Sequence, residues 1–184
     1  MSIPNFITIA RILLVPVVVW AIGSGQMLIA FVLFLIAGIS DGVDGFLAKR
    51  FGMASELGAF LDPLADKVLL VSIYIALGIA DTLPQWLVIL VVSRDLLIIG
   101  GVMVSWLVDK PIAVKPHFVS KLNTGAQIIL AGLVLGLLGL HLDWGWLTPL
   151  AIAVVTILTL LSAALYVAEW IRHMGLVDPG RKVS

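Results

Sequence analysis

Six apolar stretches, each about 20 residues long, dominate the chain and leave little choice of fold. They cover about residues 5–22, 26–40, 54–80, 85–108, 121–140 and 147–171, with short polar connections between them. Twenty helical residues reach roughly 30 Å, the thickness of the hydrocarbon core of a bilayer. In that medium each backbone polar group must find its partner within the segment, so a stretch that spans it is a helix. Hydrophobic residues make up 61% of the 184 residues and charged residues 12%, against roughly a quarter charged in soluble domains. With a mean hydropathy of +1.18, the chain reads as an all-α integral membrane protein with six transmembrane helices. No repeat, linker or composition shift divides it, so residues 1–184 read as a single membrane domain.

The connections agree with this division. Ser2-Ile3-Pro4-Asn5 suits a helix start, with Asn5 able to cap. The first span has no basic n-region and no cleavage site, and reads as a retained helix. Its entrance carries Asn5, Thr8 and Arg11 at i, i+3 and i+6, one polar face entering the membrane. Taken alone, Thr8 is a backbone-bonded threonine and Arg11 an anchor that reaches out to the headgroups. Asp81-Thr82-Leu83-Pro84 is a turn, and the fourth span behind it carries Arg94-Asp95 near its midpoint. That pair is expected to avoid lipid, either as an ion pair that specifies packing or as a lining for an anionic ligand. Gly38, Gly58, Gly100, Gly101, Gly132 and Gly136 read as notches for close helix packing.

Four carboxylates break the apolar pattern. Asp41 and Asp44 stand three apart, and Asp62 and Asp66 four apart, so each pair shares a helix face. Between the pairs lies a polar break at residues 49–55. If it is a tight turn between antiparallel helices, both acidic faces converge near the membrane surface. An acid at membrane depth costs roughly 2.5–3.5 kcal/mol on the insertion scale, and four together repel. A divalent cation relieves both penalties, and hard oxygen donors select Mg²⁺ or Mn²⁺. The chain has no Cys, so thiolate metal sites are excluded.

The pattern Asp41-x-x-Asp44-Gly45-x-x-Ala48-Lys49, then Gly58, Asp62 and Asp66, resembles the signature of the CDP-alcohol phosphotransferase family. The usual form has Arg after the Ala. Here Lys49 followed by Arg50 keeps a positive charge without the bidentate phosphate clamp of Arg at that position. The resemblance implies a phosphatidyl transfer from a CDP-linked donor to an alcohol, with release of CMP and two divalent cations, Mg²⁺ or Mn²⁺. It implies that Asp41, Asp44 and Asp62 hold one ion, that Asp41, Asp62 and Asp66 hold the other, and that Asp66 deprotonates the acceptor. Asn5, Thr8, Gly45, Ala48, Lys49, Ser55 and Gly58 would surround the CDP-lipid. Relatives pair as homodimers, so a homodimer is implied too.

The acceptor side of the resemblance is closest to the eukaryotic-type cardiolipin synthases of the family. It rests on Val92-Ser93-Arg94-Asp95 and on Lys115-Pro116-x-Phe118-x-Ser120-Lys121-x-Asn123-Thr124-x-x-Gln127. Phosphatidylglycerophosphate synthases usually carry a further Arg on the fourth helix where this chain has Gly101-Val102. The expected reaction joins CDP-diacylglycerol to phosphatidylglycerol, giving cardiolipin and CMP. Arg94, Lys115, Lys121 and Asn123 are the expected contacts to that acceptor or another anionic one. The alternative within the family is glycerol 3-phosphate.

Topology follows from the basic residues. Arg11, Lys49, Arg50, Lys110, Lys115, Lys121, Arg172, Arg181 and Lys182 fall on one side, while the connections at Gly23, Asp81 and His141 hold no Lys or Arg. The positive-inside rule puts both termini and the acidic quartet on the cytoplasmic face, in a bacterial inner membrane. A formal net charge of zero with no basic run gives no footprint for nucleic acid. A cation transporter also uses intramembrane acids, but it requires a carboxylate path to the far face, and the acids here cluster at one. His117 reads as a surface histidine.

Overall fold

The computed structural model describes residues 3–51, 56–107, 118–143 and 145–173. Six helices account for nearly all of them: α1 (Ile3–Gly23), α2 (Met27–Phe51), α3 (Glu56–Ile79), α4 (Gln85–Leu107), α5 (Phe118–Gly139) and α6 (Leu147–His173). Their lengths run from 21 to 27 residues, or about 31–40 Å at the α-helical rise. Each apolar stretch has therefore become one helix. Two of the differences from the sequence reading bear on the site. α1 begins at Ile3, so Asn5 lies inside the first turn instead of capping it. α2 does not stop where its apolar run ends near Ser40; it continues through Asp41 and Asp44 to Phe51.

The turns show how the helices are closed. Gly25 takes a left-handed conformation after α1 (φ 71°), which costs glycine nothing. Asp81 and His141 do the same after α3 and α5 (φ 54° and 53°). The Thr82 hydroxyl donates to the Leu77 carbonyl at 2.9 Å, satisfying one carbonyl at the end of α3.

α3 is the centre of the bundle, packed against α1, α4 and α5, while α2 lies against α1 and α5, and α6 against α4 and α5. The core is built from Val18 and Ile22 of α1, Ile73, Tyr74 and Leu77 of α3, Leu87 and Val91 of α4, and Leu130 and Leu135 of α5, all buried. Tyr74 donates its hydroxyl to the Gln127 carbonyl across that core, at 3.1 Å. Outside, every helix turns apolar side chains outward. Leu13, Ile39, Ile79, Ile89, Leu96, Ile129 and Ile157 are 63–78% exposed. Such a continuous apolar exterior suits lipid and not water. Among the described residues, the helices spanning Phe118–Gly139 and Leu147–Arg172 are long and apolar enough to cross a membrane.

The glycines divide into two groups. A Cβ on Gly101, Gly132 or Gly136 would sit 3.0–3.2 Å from Tyr166, Phe34 or Phe31, so these three are packing notches as expected. Gly38 and Gly100 are not, since a Cβ there would meet nothing within 4 Å. Gly58 lies outside the described side chains. The closest approach is at Gly139, where a Cβ would come within 2.7 Å of the Leu28 backbone. This contact joins the end of α5 to the start of α2.

A partly buried polar chain ties the other helices together. Lys67 of α3 donates to Asp95 of α4 at 2.7 Å, and Asp95 accepts from its neighbour Arg94 at 2.6 Å. Arg94 reaches on to Ser120 of α5 at 2.6 Å and to Ser162 of α6. The Arg94-Asp95 pair thus avoids lipid, and its bonds join four helices.

Gly139→Ala is expected to destabilise the protein by about 1–3 kcal/mol through overpacking, whereas Gly100→Ala should be neutral or better because alanine favours the helix. Melting curves in detergent compare the two, and equal melting temperatures would refute the close α2–α5 approach. Asp95→Ala strips a buried Arg94 of its counter-charge and should cost about 3–5 kcal/mol. Lys67→Ala should cost clearly less, because the Lys67 side chain is one third exposed. The same melts measure that order, and its reversal would mean that Lys67 is the anchor of the chain.

Candidate active site

Three helices meet at Arg11. Its guanidinium belongs to α1 and is 1% exposed, with Nη1 placed 2.9 Å from Asp41 Oδ1 of α2 and 2.6 Å from Asp66 Oδ1 of α3. Burial at this depth is tolerable because two carboxylates share the charge. Arg11 therefore does not reach out to headgroups as its position suggested; it is drawn inward to the acids. Thr8, one turn earlier on the same face of α1, is also fully buried.

Beside this cluster lies a cavity of about 400 Å³. Arg11, Asp41, Asp66 and Lys67 line it together with Thr124 of α5, and Phe34, Ala37, Gly38, Leu69, Leu70 and Ile128 supply its apolar wall. Gly38 contributes by leaving space, which accounts for a glycine with no packing neighbour. The cavity is thus amphipathic, with two acids and two cations set against an apolar lining from α2, α3 and α5.

Of the site residues expected from the sequence, Asp41 and Asp66 are brought together across two helices, on one shared cation. Asp44, Gly45, Ala48 and Lys49 fall on the backbone of α2, and Asp62 and Gly58 on that of α3, with side chains outside the described residues; Asn5 is in the same position on α1. Ser55 and Lys115 lie outside the described residues altogether. Among the described residues no three acids or histidines form a metal-holding group. The two acids that are described do fit a hard cation: both are oxygen donors, and both are directed at one positive centre.

The acceptor-side residues lie elsewhere. Arg94 is buried and bonded to Asp95, Ser120 and Ser162. Asn123 is buried and accepts from the Thr159 hydroxyl at 2.9 Å. Lys121 is exposed at the start of α5. None of the three lines the cavity; Arg94 connects to it through Asp95 and Lys67.

Sequence reasoning did not name Lys67 and Thr124 as cavity residues, and it gave Arg11 only as part of the polar face that α1 carries into the membrane. For Arg11 a signal existed in its i, i+3, i+6 register with Asn5 and Thr8. Lys67 directly follows Asp66, and Thr124 opens the fifth apolar run, but neither spacing by itself marks a shared cavity.

Comparison with known proteins places this arrangement. Residues 1–170 match the family model described as CDP-alcohol phosphatidyltransferase. A probable cardiolipin synthase (CMP-forming) of Drosophila melanogaster is 38% identical over 152 residues, covering 74% of this chain and 47% of the fly protein. A chloroplastic CDP-diacylglycerol–glycerol-3-phosphate 3-phosphatidyltransferase of Oryza sativa subsp. japonica is 40% identical over 152 residues, 73% of this chain and 46% of its own. A probable phosphatidylglycerophosphate synthase of Mycobacterium tuberculosis is 34% identical over 182 residues, 95% of this chain and 84% of its own. The chain spans about half the length of the fly and rice relatives. The acid spacing on α2 and α3, the convergence of Asp41 and Asp66, and the match along residues 1–170 lead to one conclusion: the chain belongs to the CDP-alcohol phosphatidyltransferase family.

Proposed function

We propose that the protein transfers a phosphatidyl group from CDP-diacylglycerol to phosphatidylglycerol, forming cardiolipin and CMP. The observation that carries the reading is the cavity: acids from two helices converge on one cation at an apolar space, which suits a substrate with a phosphate at one end and hydrocarbon at the other. Asp41, Asp44, Asp62 and Asp66 would hold two divalent cations, Mg²⁺ or Mn²⁺. Such ions supply charge neutralisation on the diphosphate and polarise the attacked phosphorus.

The chain's own residues have separate tasks. Asp66 takes the proton of the acceptor hydroxyl as the new phosphorus–oxygen bond forms and the bond to CMP breaks, a role that requires hydrogen-bond reach of the hydroxyl. Asn5, Thr8, Gly45, Ala48, Lys49, Ser55 and Gly58 surround the nucleotide end, with Lys49 as a point charge on phosphate. Lys115 and Lys121 meet the anionic headgroup of the acceptor, while Arg94 and Asn123 brace that side of the bundle. Six spans with both termini in the cytoplasm put the acids on the face where water-soluble CMP leaves, in keeping with the one-sided distribution of Lys and Arg.

Glycerol 3-phosphate is the second reading. It is favoured by the mycobacterial relative, which matches along nearly the whole chain and is described as a phosphatidylglycerophosphate synthase. Gly101-Val102, in place of the additional arginine usual in such synthases, favours phosphatidylglycerol.

Purified protein should release CMP from CDP-diacylglycerol only with Mg²⁺ or Mn²⁺ present, and Asp66→Ala should lower the rate by roughly two to four orders of magnitude, the worth of a general base. Full activity in that variant would remove Asp66 from the mechanism. Offered phosphatidylglycerol and glycerol 3-phosphate in separate reactions, the protein should give a lipid product with the former, identified by mass as cardiolipin. Product from glycerol 3-phosphate alone rejects the cardiolipin assignment and leaves the phosphatidyl transfer standing.

A further inference from the structure

Among the described residues, the guanidinium of Arg11 is a buried charged group with hydrogen bonds left unmade. Its Nη1 is shared by Asp41 and Asp66, but Nε and Nη2 are buried and have no hydrogen-bond partner among the described residues. An unmade hydrogen bond at a buried polar atom costs about 1–3 kcal/mol, and more when the group is charged. The side chain also lines the cavity, so the unbonded edge belongs to a cation at the wall of a space large enough for a ligand. A phosphate offers what that edge lacks, since its paired oxygens match the fork of an arginine.

We propose that Arg11 is an internal counter-ion for Asp41 and Asp66, that it gives these carboxylates up to a divalent cation, and that the released guanidinium takes an oxygen of the donor's diphosphate. This rests on the reading of the acids as metal ligands given above. Arginine and a metal ion drawn to the same two carboxylates are like charges and repel at that range. The two therefore compete. In the absence of either ligand, Arg11 keeps two acids from facing each other unneutralised in apolar surroundings. Once it is displaced, a guanidinium in the wall of the cavity favours an incoming anion, and by reciprocity the anion favours the metal. Metal and nucleotide-lipid then bind as a pair, and each waits for the other.

The competition fixes the sign of a measurement. With the full chain in detergent and no nucleotide, binding of Mn²⁺ alone is followed by the electron paramagnetic resonance of the free ion. Arg11→Gln removes the competitor and should bind Mn²⁺ about fivefold or more tightly, the lower end of coupling between sites. With Mn²⁺ saturating, its affinity for CDP should fall by roughly tenfold, the loss of a charged hydrogen bond. Arg11→Lys keeps a cation at the acids but has no fork to offer, so it should bind Mn²⁺ as the parent protein does and still lose CDP. This second variant carries the test if the glutamine substitution unfolds the bundle. If either folded variant binds Mn²⁺ more weakly than the parent, Arg11 clamps the acids for the metal and the inference is overturned, while phosphatidyl transfer stands. A parent protein that binds no Mn²⁺ overturns the metal reading itself, and this inference with it.

Discussion

The burial of one arginine between two aspartates sets the arrangement of the first three helices. A guanidinium at 1% exposure is sustainable in an apolar bundle only if opposite charge comes to it. Asp41 and Asp66 do so from different helices, which fixes how α2 and α3 rotate and how far each slides along α1. The apolar contacts of Val18, Ile22, Ile73 and Leu77 supply the adhesion, but a greasy surface allows many registers. The shared cation allows one, because two carboxylates cannot both reach it after a slip of even one residue.

α3 carries this constraint into the rest of the protein. Asp66 and Lys67 are neighbours, and successive helical residues point about 100° apart. Asp66 therefore reaches Arg11 on α1 while Lys67 reaches Asp95 on α4. From Asp95 the polar chain passes through Arg94 to Ser120 and Ser162. A single turn of α3 thus locks both halves of the bundle, and the cavity lies at the junction. In this arrangement a substrate that disturbs Asp66 acts on the residue next to the anchor of α4, α5 and α6.

The parts of this structure that were legible in the sequence are those set by local pattern. Apolar runs of bilayer length became helices because lipid leaves the backbone no alternative, and the spacing of Asp41 and Asp66 within their motif was enough to expect them near one another. What could not be read depends on which faces of the helices meet. Arg11 at the entrance of a span is indistinguishable, one residue at a time, from an arginine that reaches to the headgroups; only the position of Asp41 and Asp66 decides. Gly139 escaped notice because glycine at a helix end ordinarily serves as a cap, whereas here it admits the backbone at Leu28. Gly38 was expected to be a packing notch and instead opens the cavity. Arg94 and Asp95 were rightly expected to turn away from lipid, but the partners that hold them lie on helices far along the chain.

Charge balance at the cavity explains why the proposed chemistry would import its cations. Among the described residues the lining holds Arg11 and Lys67 against Asp41 and Asp66, two positive groups against two negative, and each positive group already faces an acid. Each of these four described charges thus has an opposite charge beside it in the folded bundle. A CDP-lipid brings a negatively charged diphosphate, which a neutral wall does not attract, and further lysines or arginines would restore attraction only by leaving unpaired cations in the bundle beforehand. Under the proposed function, divalent ions on the acids would avoid that penalty, because the folded chain need not carry their charge beforehand. Under the proposed function the same residues would serve two states: a paired one stable enough to fold, and a metal-loaded one positive enough to hold a diphosphate. Under that proposal Arg11 is the group that would move between them, and its side chain already lines the cavity.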